Sequence, residues 1–259
     1  MELHGETALV TGGGRGIGEA ICRELADRGL AVVVADIDDE DTAETKRDIE
    51  RRGGEATCVR MDVTDREDVA DGVAEATARV GSIDVLVNNA GIAGPTDPVE
   101  DVTPEEWDST MAVNLRGPFL LCRELMGPMK EQGYGRIVNV SSASGKRPVP
   151  YRAPYTASKS GLFGLTRTLA VEGGPHDVNA NAICPGSVAG PRIDRVIERQ
   201  AAATDRSFEE VEAEKAARSP REEFVEPEDV AGTVAFLCST AADRITGQSV
   251  NVTAGKVTY

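Results

Sequence analysis

Seven short apolar runs, at 7–10, 31–35, 56–61, 85–88, 136–141, 179–184 and 249–252, recur along the chain, with longer amphipathic stretches between them. Several of these runs are continuously apolar rather than alternating. That is the pattern of strands covered on both faces, as in a parallel sheet flanked by helices. After the first run, Ile17, Ile21 and Leu25 fall at i, i+4 and i+8, and the pattern stops at Gly29. This predicts a helix with one buried face. The acids Asp38 to Asp41 suit the start of a second helix, where negative charge meets the positive end of the helix dipole. A third helix is predicted over 65–80, and Thr64-Asp65-Arg66-Glu67 at its start reads as a capping box. The alternation predicts an α/β fold, a doubly wound parallel sheet of about seven strands with helices on both faces. No repeat or low-complexity linker divides residues 1–259, so one domain is expected. The segment 191–223 differs in character: it is charged, alanine-rich and broken at Ser219-Pro220. It follows a strand's carboxyl end, where such sheets bind ligands, so it is either a lid over a site or a solvated helix pair.

Charge narrows the function classes. The formal net charge is −16, the acids are spread along the whole chain, and only six lysines accompany the arginines. No basic cluster suited to nucleic acid is present. An acidic, lysine-poor surface points to concentrated salt, which screens self-repulsion; the alternative is an arginine-biased protein of ordinary solubility. The five cysteines, Cys22, Cys58, Cys122, Cys184 and Cys238, are odd in number and dispersed, and His4 and His176 lack metal-ligand spacing. A reducing compartment and no metal site are expected. No signal peptide pattern and no apolar run near ~20 residues is present, which predicts a cytoplasmic protein without a membrane span.

Candidate chemistry begins at the first strand. It runs into Thr11-Gly12-Gly13-Gly14-Arg15-Gly16-Ile17-Gly18. Glycines let backbone approach a ligand, and the next helix offers unpaired N–H groups to a pyrophosphate. The second strand ends at Asp36, which can accept hydrogen bonds from a ribose diol and repels a 2′-phosphate. Arg15 pulls the other way; Asp36 is expected to dominate, so NAD is preferred over NADP. The run Val85 to Gly91 ends Asn88-Asn89-Ala90-Gly91. Its asparagines can tie neighbouring strands, and Ala90 and Gly91 leave room for a flat ring.

The strongest pattern comes later. A strand ends in Ser141-Ser142, Tyr155 stands thirteen residues past Ser142, and Lys159 follows four beyond. Tyr155 and Lys159 share one helix face. A free tyrosine titrates near pH ~10, too high to supply phenolate near neutrality. A nearby ammonium and an oxidised nicotinamide both favour the phenolate. Lowering the pKa by about 2–3 units requires roughly 3–4 kcal/mol of differential interaction.

With these pieces the chain resembles the classical short-chain dehydrogenases/reductases, over essentially residues 5 to 256. The matching features are the 11–18 glycine loop, Asp62-Val63, the 88–91 run, Asn114 in Val-Asn-Leu, Ser142, the Tyr155–Lys159 pair and Pro185-Gly186. The resemblance implies a Rossmann-type, nicotinamide-dependent oxidoreductase with Asn114, Ser142, Tyr155 and Lys159 as catalytic residues. Tyr155 would be the general acid/base, Ser142 would bind the substrate oxygen, Lys159 would bind the nicotinamide ribose, and Asn114 would hold a relay water. Cofactor contacts are implied for Gly12, Arg15, Gly16, Ile17, Gly18, Asp36, Asp62, Val63, Asn89, Ala90, Gly91, Tyr155, Lys159, Pro185, Gly186 and Val188. A homotetramer is implied through the helix carrying Tyr155 and the one before it.

Two departures stand out. Gly190 and Pro191 replace a threonine usual after Pro-Gly, which alters expected carboxamide contacts. The last strand runs into Thr253-Ala254-Gly255 where Asp-Gly-Gly is usual, which alters expected subunit contacts.

Lys146, Arg147 and Arg152 lie between Ser142 and Tyr155, and Arg192 follows the Pro-Gly loop. Cations gathered there in an acidic chain point to an anionic substrate, since arginine holds carboxylates bidentately. Paired surface charges would look the same. Substrate contacts are expected from Ser142, Ser144, Arg152, Tyr155 and Arg192. The expected reaction is NAD-dependent oxidation of a secondary hydroxyl on a small polar substrate such as a sugar, sugar acid or deoxy-sugar acid. The alternatives are a 3-oxoacyl-carrier ketoreductase, which would favour NADP and a basic docking surface, and a non-catalytic dinucleotide-binding protein.

Overall fold

The computed structural model describes Leu3 and residues 5–259, apart from the side chains at positions 192, 199 and 203. Seven parallel strands form one sheet in the order β3-β2-β1-β4-β5-β6-β7. In chain order the elements are β1 (Thr7–Thr11), α1 (Gly16–Asp27), β2 (Ala31–Asp36), α2 (Asp39–Arg51), β3 (Ala56–Arg60), α3 (Arg66–Val80) and β4 (Val85–Asn88). Then come α4 (Pro104–Met111), a π-helical turn (Ala112–Arg116), α5 (Gly117–Gln132), β5 (Gly135–Val140), α6 (Ala143–Lys146), α7 (Ala153–Gly173) and β6 (Val178–Pro185). The chain closes with α8 (Pro191–Thr204), α9 (Phe208–Ala216), α10 (Pro227–Leu237) and β7 (Ser249–Val252). All seven expected strands form, within two residues of the expected limits.

Strand alternation divides the core between the two sheet faces. On β1, Ala8 and Val10 point into one apolar cluster, with Ile21, Leu25, Val34 and Val234. Leu9 points into the other, with Val33, Leu86, Leu121, Leu125 and Met129. Strands apolar on both faces therefore sit between helix layers, as their continuous apolar runs require. A third, small cluster of Ile197, Ala201 and Val211 joins α8 to α9. Residues 191–216 are thus a helix pair with its own core.

One capping expectation is corrected. Asp65, not Thr64, caps α3: its carboxylate accepts from the backbone N–H groups of Glu67 and Asp68. The carboxylate of Asp62 instead takes both N–H and O–H of Thr64, at 2.9 and 2.7 Å. Thr64 is therefore committed to the loop. At α2, Asp38 caps as the acidic cluster predicts.

β1 lies between β2 and β4, so successive strands are added in one direction up to β3 and in the opposite direction from β4 onward. In open α/β sheets a crevice opens there at the carboxyl ends of the strands. Among the described residues no helix is long and apolar enough to cross a membrane.

Candidate active site

The glycine loop lies at that crevice. Gly12 has φ +61, and a Cβ on Gly18 would lie 1.9 Å from the Gly12 carbonyl oxygen. Only glycine allows this turn to close against the start of α1. Gly16, the first residue of α1, has φ +58 and open space where a side chain would stand. The result is an open cradle of backbone at a helix N-terminus.

The loop is clamped from both sides. Asn89 donates from its amide to the carbonyls of Thr11 and Gly12, at 3.0 and 2.9 Å. The Thr11 hydroxyl accepts from the backbone of Asn89 and Ala90, both at 3.1 Å. On the other side the Asp36 carboxylate accepts from Gly14 N–H at 3.1 Å, and the Thr45 hydroxyl donates to the Gly14 carbonyl at 2.9 Å. Asp41 packs so closely that a Cβ on Gly14 would lie 2.6 Å from its Cβ. Asp41 also ion-pairs with the exposed Arg15 at 3.5 Å. Two acids, Asp36 and Asp41, therefore bound the loop.

Asn88 is a strand tie, as its alternative allowed: it donates to the Asn139 side chain at 2.8 Å, and Asn139 donates to the Thr166 hydroxyl at 2.9 Å. This chain fixes β4, β5 and α7 to one another.

β5 ends at Val140, so Ser141 and Ser142 emerge from the sheet edge. The Ser142 hydroxyl accepts from Ser144 N–H at 3.1 Å and caps the one-turn α6. Tyr155 and Lys159 project from the first two turns of α7. Lys159 is buried, donates to the Val140 carbonyl at 2.8 Å, and holds its Nζ 5.9 Å from the Tyr155 ring centroid. Ser141 donates to the Lys159 carbonyl at 2.7 Å, binding α7 to the end of β5.

Asn114, fully buried, lies in the π-helical turn. Its side-chain oxygen accepts from Ile92 N–H at 2.9 Å, and its amide donates to the Ile92 carbonyl at 3.0 Å and the Ser158 hydroxyl at 3.2 Å. Ser158 in turn donates to the Tyr155 carbonyl at 2.9 Å. Gly91 closes the group: a Cβ there would lie 3.3 Å from Asn114 Oδ1 and 3.4 Å from Lys159 Nζ. Residues scattered from 91 to 159 thus meet in one place.

The remaining expected positions divide. Gly186 backs onto Thr253, where a Cβ would lie 3.1 Å from the Thr253 Cα, and Val188 bridges Val225. Gly190 adopts φ +125 and starts α8, with Pro191 as its first residue. Thr253 is buried and accepts from Val257 N–H at 3.2 Å, and Ala254 is left-handed at φ +49. Lys146 does not reach toward Tyr155; it donates to the Ser249 carbonyl at 2.8 Å. Arg152 does, with its guanidinium carbon 4.7 Å from the Tyr155 ring centroid. Arg192 is expected at the substrate, but its side chain lies outside the described residues.

Thr11, Ser141, Ser158 and Asp41 were not singled out from sequence as site residues. Thr11 and Ser141 adjoin motif positions. Ser158 and Asp41 act through partners 44 and 26 residues away, so neither spacing nor periodicity marks them.

A family model described as enoyl-(acyl carrier protein) reductase matches residues 12–256. The chain belongs to the short-chain dehydrogenase/reductase family. A D-beta-hydroxybutyrate dehydrogenase of Rhizobium meliloti (strain 1021) is 36% identical over 253 residues, covering 96% of this chain and 98% of that one. An actinorhodin polyketide ketoreductase variant solved with NADPH superimposes with a TM-score of 0.94 at 37% identity, covering 100% of both chains. An NAD+-bound xylitol dehydrogenase superimposes with a TM-score of 0.92 at 30% identity, covering 98% of this chain and 100% of that one. The chain is therefore a short-chain oxidoreductase of CH–OH or keto groups that uses a nicotinamide cofactor. The open glycine cradle on α1 fits a pyrophosphate, and the side-chain-free floor at Gly91 fits a flat ring.

Proposed function

We propose that this enzyme oxidises the secondary hydroxyl of a small polar substrate, with sugar acids and deoxy-sugar acids favoured among sugars and related alcohols, and that NAD is its preferred cofactor. The observation that carries the chemistry is the buried cluster of Lys159 and Asn114 behind the half-exposed Tyr155. When bound, the oxidised nicotinamide ring supplies the two-electron hydride acceptor. Tyr155 Oη takes the hydroxyl proton of the alcohol, and Ser142 Oγ hydrogen-bonds the same oxygen. Lys159 favours the Tyr155 phenolate and binds the ribose. Asn114, tied to the helix through Ser158, holds the water through which the proton leaves.

Gly12, Arg15, Gly16, Ile17 and Gly18 would cradle the cofactor phosphates, with Asp36 at the ribose and Asp62 and Val63 beside the adenine. Asn89, Ala90, Gly91, Pro185, Gly186 and Val188 would flank the nicotinamide end. Asp36 supports NAD, because its carboxylate would meet a 2′-phosphate with like charge. The substrate side would comprise Ser142, Ser144 and Arg152, with segment 191–223, to which Arg192 belongs, acting as a lid. A homotetramer through α5 and α7 is favoured by the exposed Phe119 and Val171 on those helices. The −16 charge and scarce lysine suit a salt-rich cytoplasm, where five free cysteines stay reduced.

A screen of secondary alcohols, sugars and hydroxy acids, following NAD reduction at low and high salt, tests this. Turnover confined to NADPH and acyl thioesters would instead establish the ketoreductase alternative. Binding of NADH with no turnover on any of them would establish the non-catalytic one. Within the screen, Arg192→Ala is expected to raise KM for acids by about tenfold, the worth of a charge-assisted hydrogen bond, and to leave neutral alcohols unchanged. An equal rise for both classes would remove the acid-substrate assignment.

A further inference from the structure

Arg152 occupies a position where an arginine is costly. It is the N-cap of α7 and makes no side-chain cap hydrogen bond. N-cap positions favour short side chains that accept from the helix N–H groups, and a cation there meets the positive end of the helix dipole. The residue before it, Tyr151, is exposed and left-handed at φ +64. That conformation is unfavourable for a bulky side chain. Two local costs thus converge on one arginine.

What the arrangement achieves is specific. The guanidinium carbon sits 4.7 Å from the Tyr155 ring centroid, and Nη2 donates to the Ala93 carbonyl at 2.9 Å. Ala93 belongs to the loop after β4, so the arginine joins the start of α7 to the segment that carries Gly91.

We propose that Arg152 is a second cation serving Tyr155: it favours the phenolate across the ring face and holds the ring against the Gly91 loop. The proposal rests on Tyr155 being the proton-exchanging group.

Two cations face the Tyr155 ring, Arg152 and Lys159. Lys159 shares the helix and lies 5.9 Å from the ring. The π-helical turn presents neutral Asn114, and its Arg116 turns away to the Thr64 carbonyl. α6 presents Ser142 at its cap, and its Lys146 points to β7. On β6, burial pushes the Cys184 thiol up to about 11, so it stays neutral. The α4 acids Glu105, Glu106 and Asp108 are exposed, and Glu106 folds back on Thr103.

The test compares the wild type with Arg152→Gln and Arg152→Lys. Tyrosinate absorbance is titrated with and without Tyr155→Phe in each background, so the difference isolates Tyr155. Arg152→Gln is expected to move that titration up by about one pH unit, the scale of losing one nearby charge, and Arg152→Lys to recover part of it. The acid limb of kcat for alcohol oxidation should move up equally for a neutral alcohol and a hydroxy acid, with the NAD Kd within about twofold. A loss seen only in KM for the acid, with the titration unmoved, would overturn the proposal and leave Arg152 as a substrate contact. Loss of NAD binding in both variants, with the titration unmoved, would overturn it in favour of a purely structural role. If Tyr155→Phe keeps full turnover while the titration still shifts with Arg152, the assignment of Tyr155 fails and the electrostatic coupling stands.

Discussion

Tyr155→Phe is expected to lower kcat by about a thousandfold while NAD still binds. The substitution removes one oxygen and keeps the ring. Ser158 bonds the Tyr155 backbone carbonyl, not the phenol, and Arg152 can cover a phenylalanine face as well. The helix start and the Asn114 group should therefore persist, and the loss isolates proton exchange, worth typically 10²–10⁴ in rate. Steady-state kinetics beside a fluorescence titration with NADH check both halves. Near-normal turnover in a variant that binds NADH would remove the proposed mechanism. A variant that fails to bind would point to a wider structural role for the phenol.

Cofactor choice carries the second large effect. Asp36→Ser should raise the kcat/KM ratio of NADP to NAD by roughly a hundredfold, because it removes both a ribose acceptor and a charge facing the 2′-phosphate. Adding Asp41→Asn should contribute about another tenfold. Asp41 pairs with Arg15, the cation of the glycine loop, and releasing it gives the 2′-phosphate a partner. Asp41→Asn alone should do little while Asp36 remains, so the two substitutions should couple more than additively. The second step should shrink in high salt, since Arg15 is exposed and its charge is screened. Initial rates with both cofactors at two salt concentrations measure all of this. Full conversion by Asp36→Ser alone would leave Asp41 without a part in cofactor choice.

The sequence was most legible where chemistry and local backbone demands coincide. Gly12 and Gly18 announce themselves because no other residue fits their turn, and Tyr155 and Lys159 because helix periodicity places them on one face. The strands were equally plain, since continuous apolar runs mark a sheet buried on both sides. Side-chain contacts between distant segments were not legible. Nothing near Asp41 says that it meets Arg15, and Ser158 looks like any serine on a helix until Asn114 lies against it. Arg152 was legible as a cation close to Tyr155, but not as one stacked on its ring. Lys146 misled, because a sequence position beside the site does not give the direction of a long side chain.

The widened turn at Ala112–Arg116 bears on how this site could arise and be lost. A π-turn amounts to one residue more than an α-helix needs, and such turns gather at functional positions. Deleting one residue there would restore regular helix from α4 into α5. The closing of the turn would shift the residues within it, Asn114 among them, and leave the flanking helices near their present phase, because the surplus residue is absorbed locally. Asn114 would then swing off Ile92 and Ser158. The extra residue is therefore one that length-shortening cannot remove without dismantling the asparagine's place, however well the shorter helix folds.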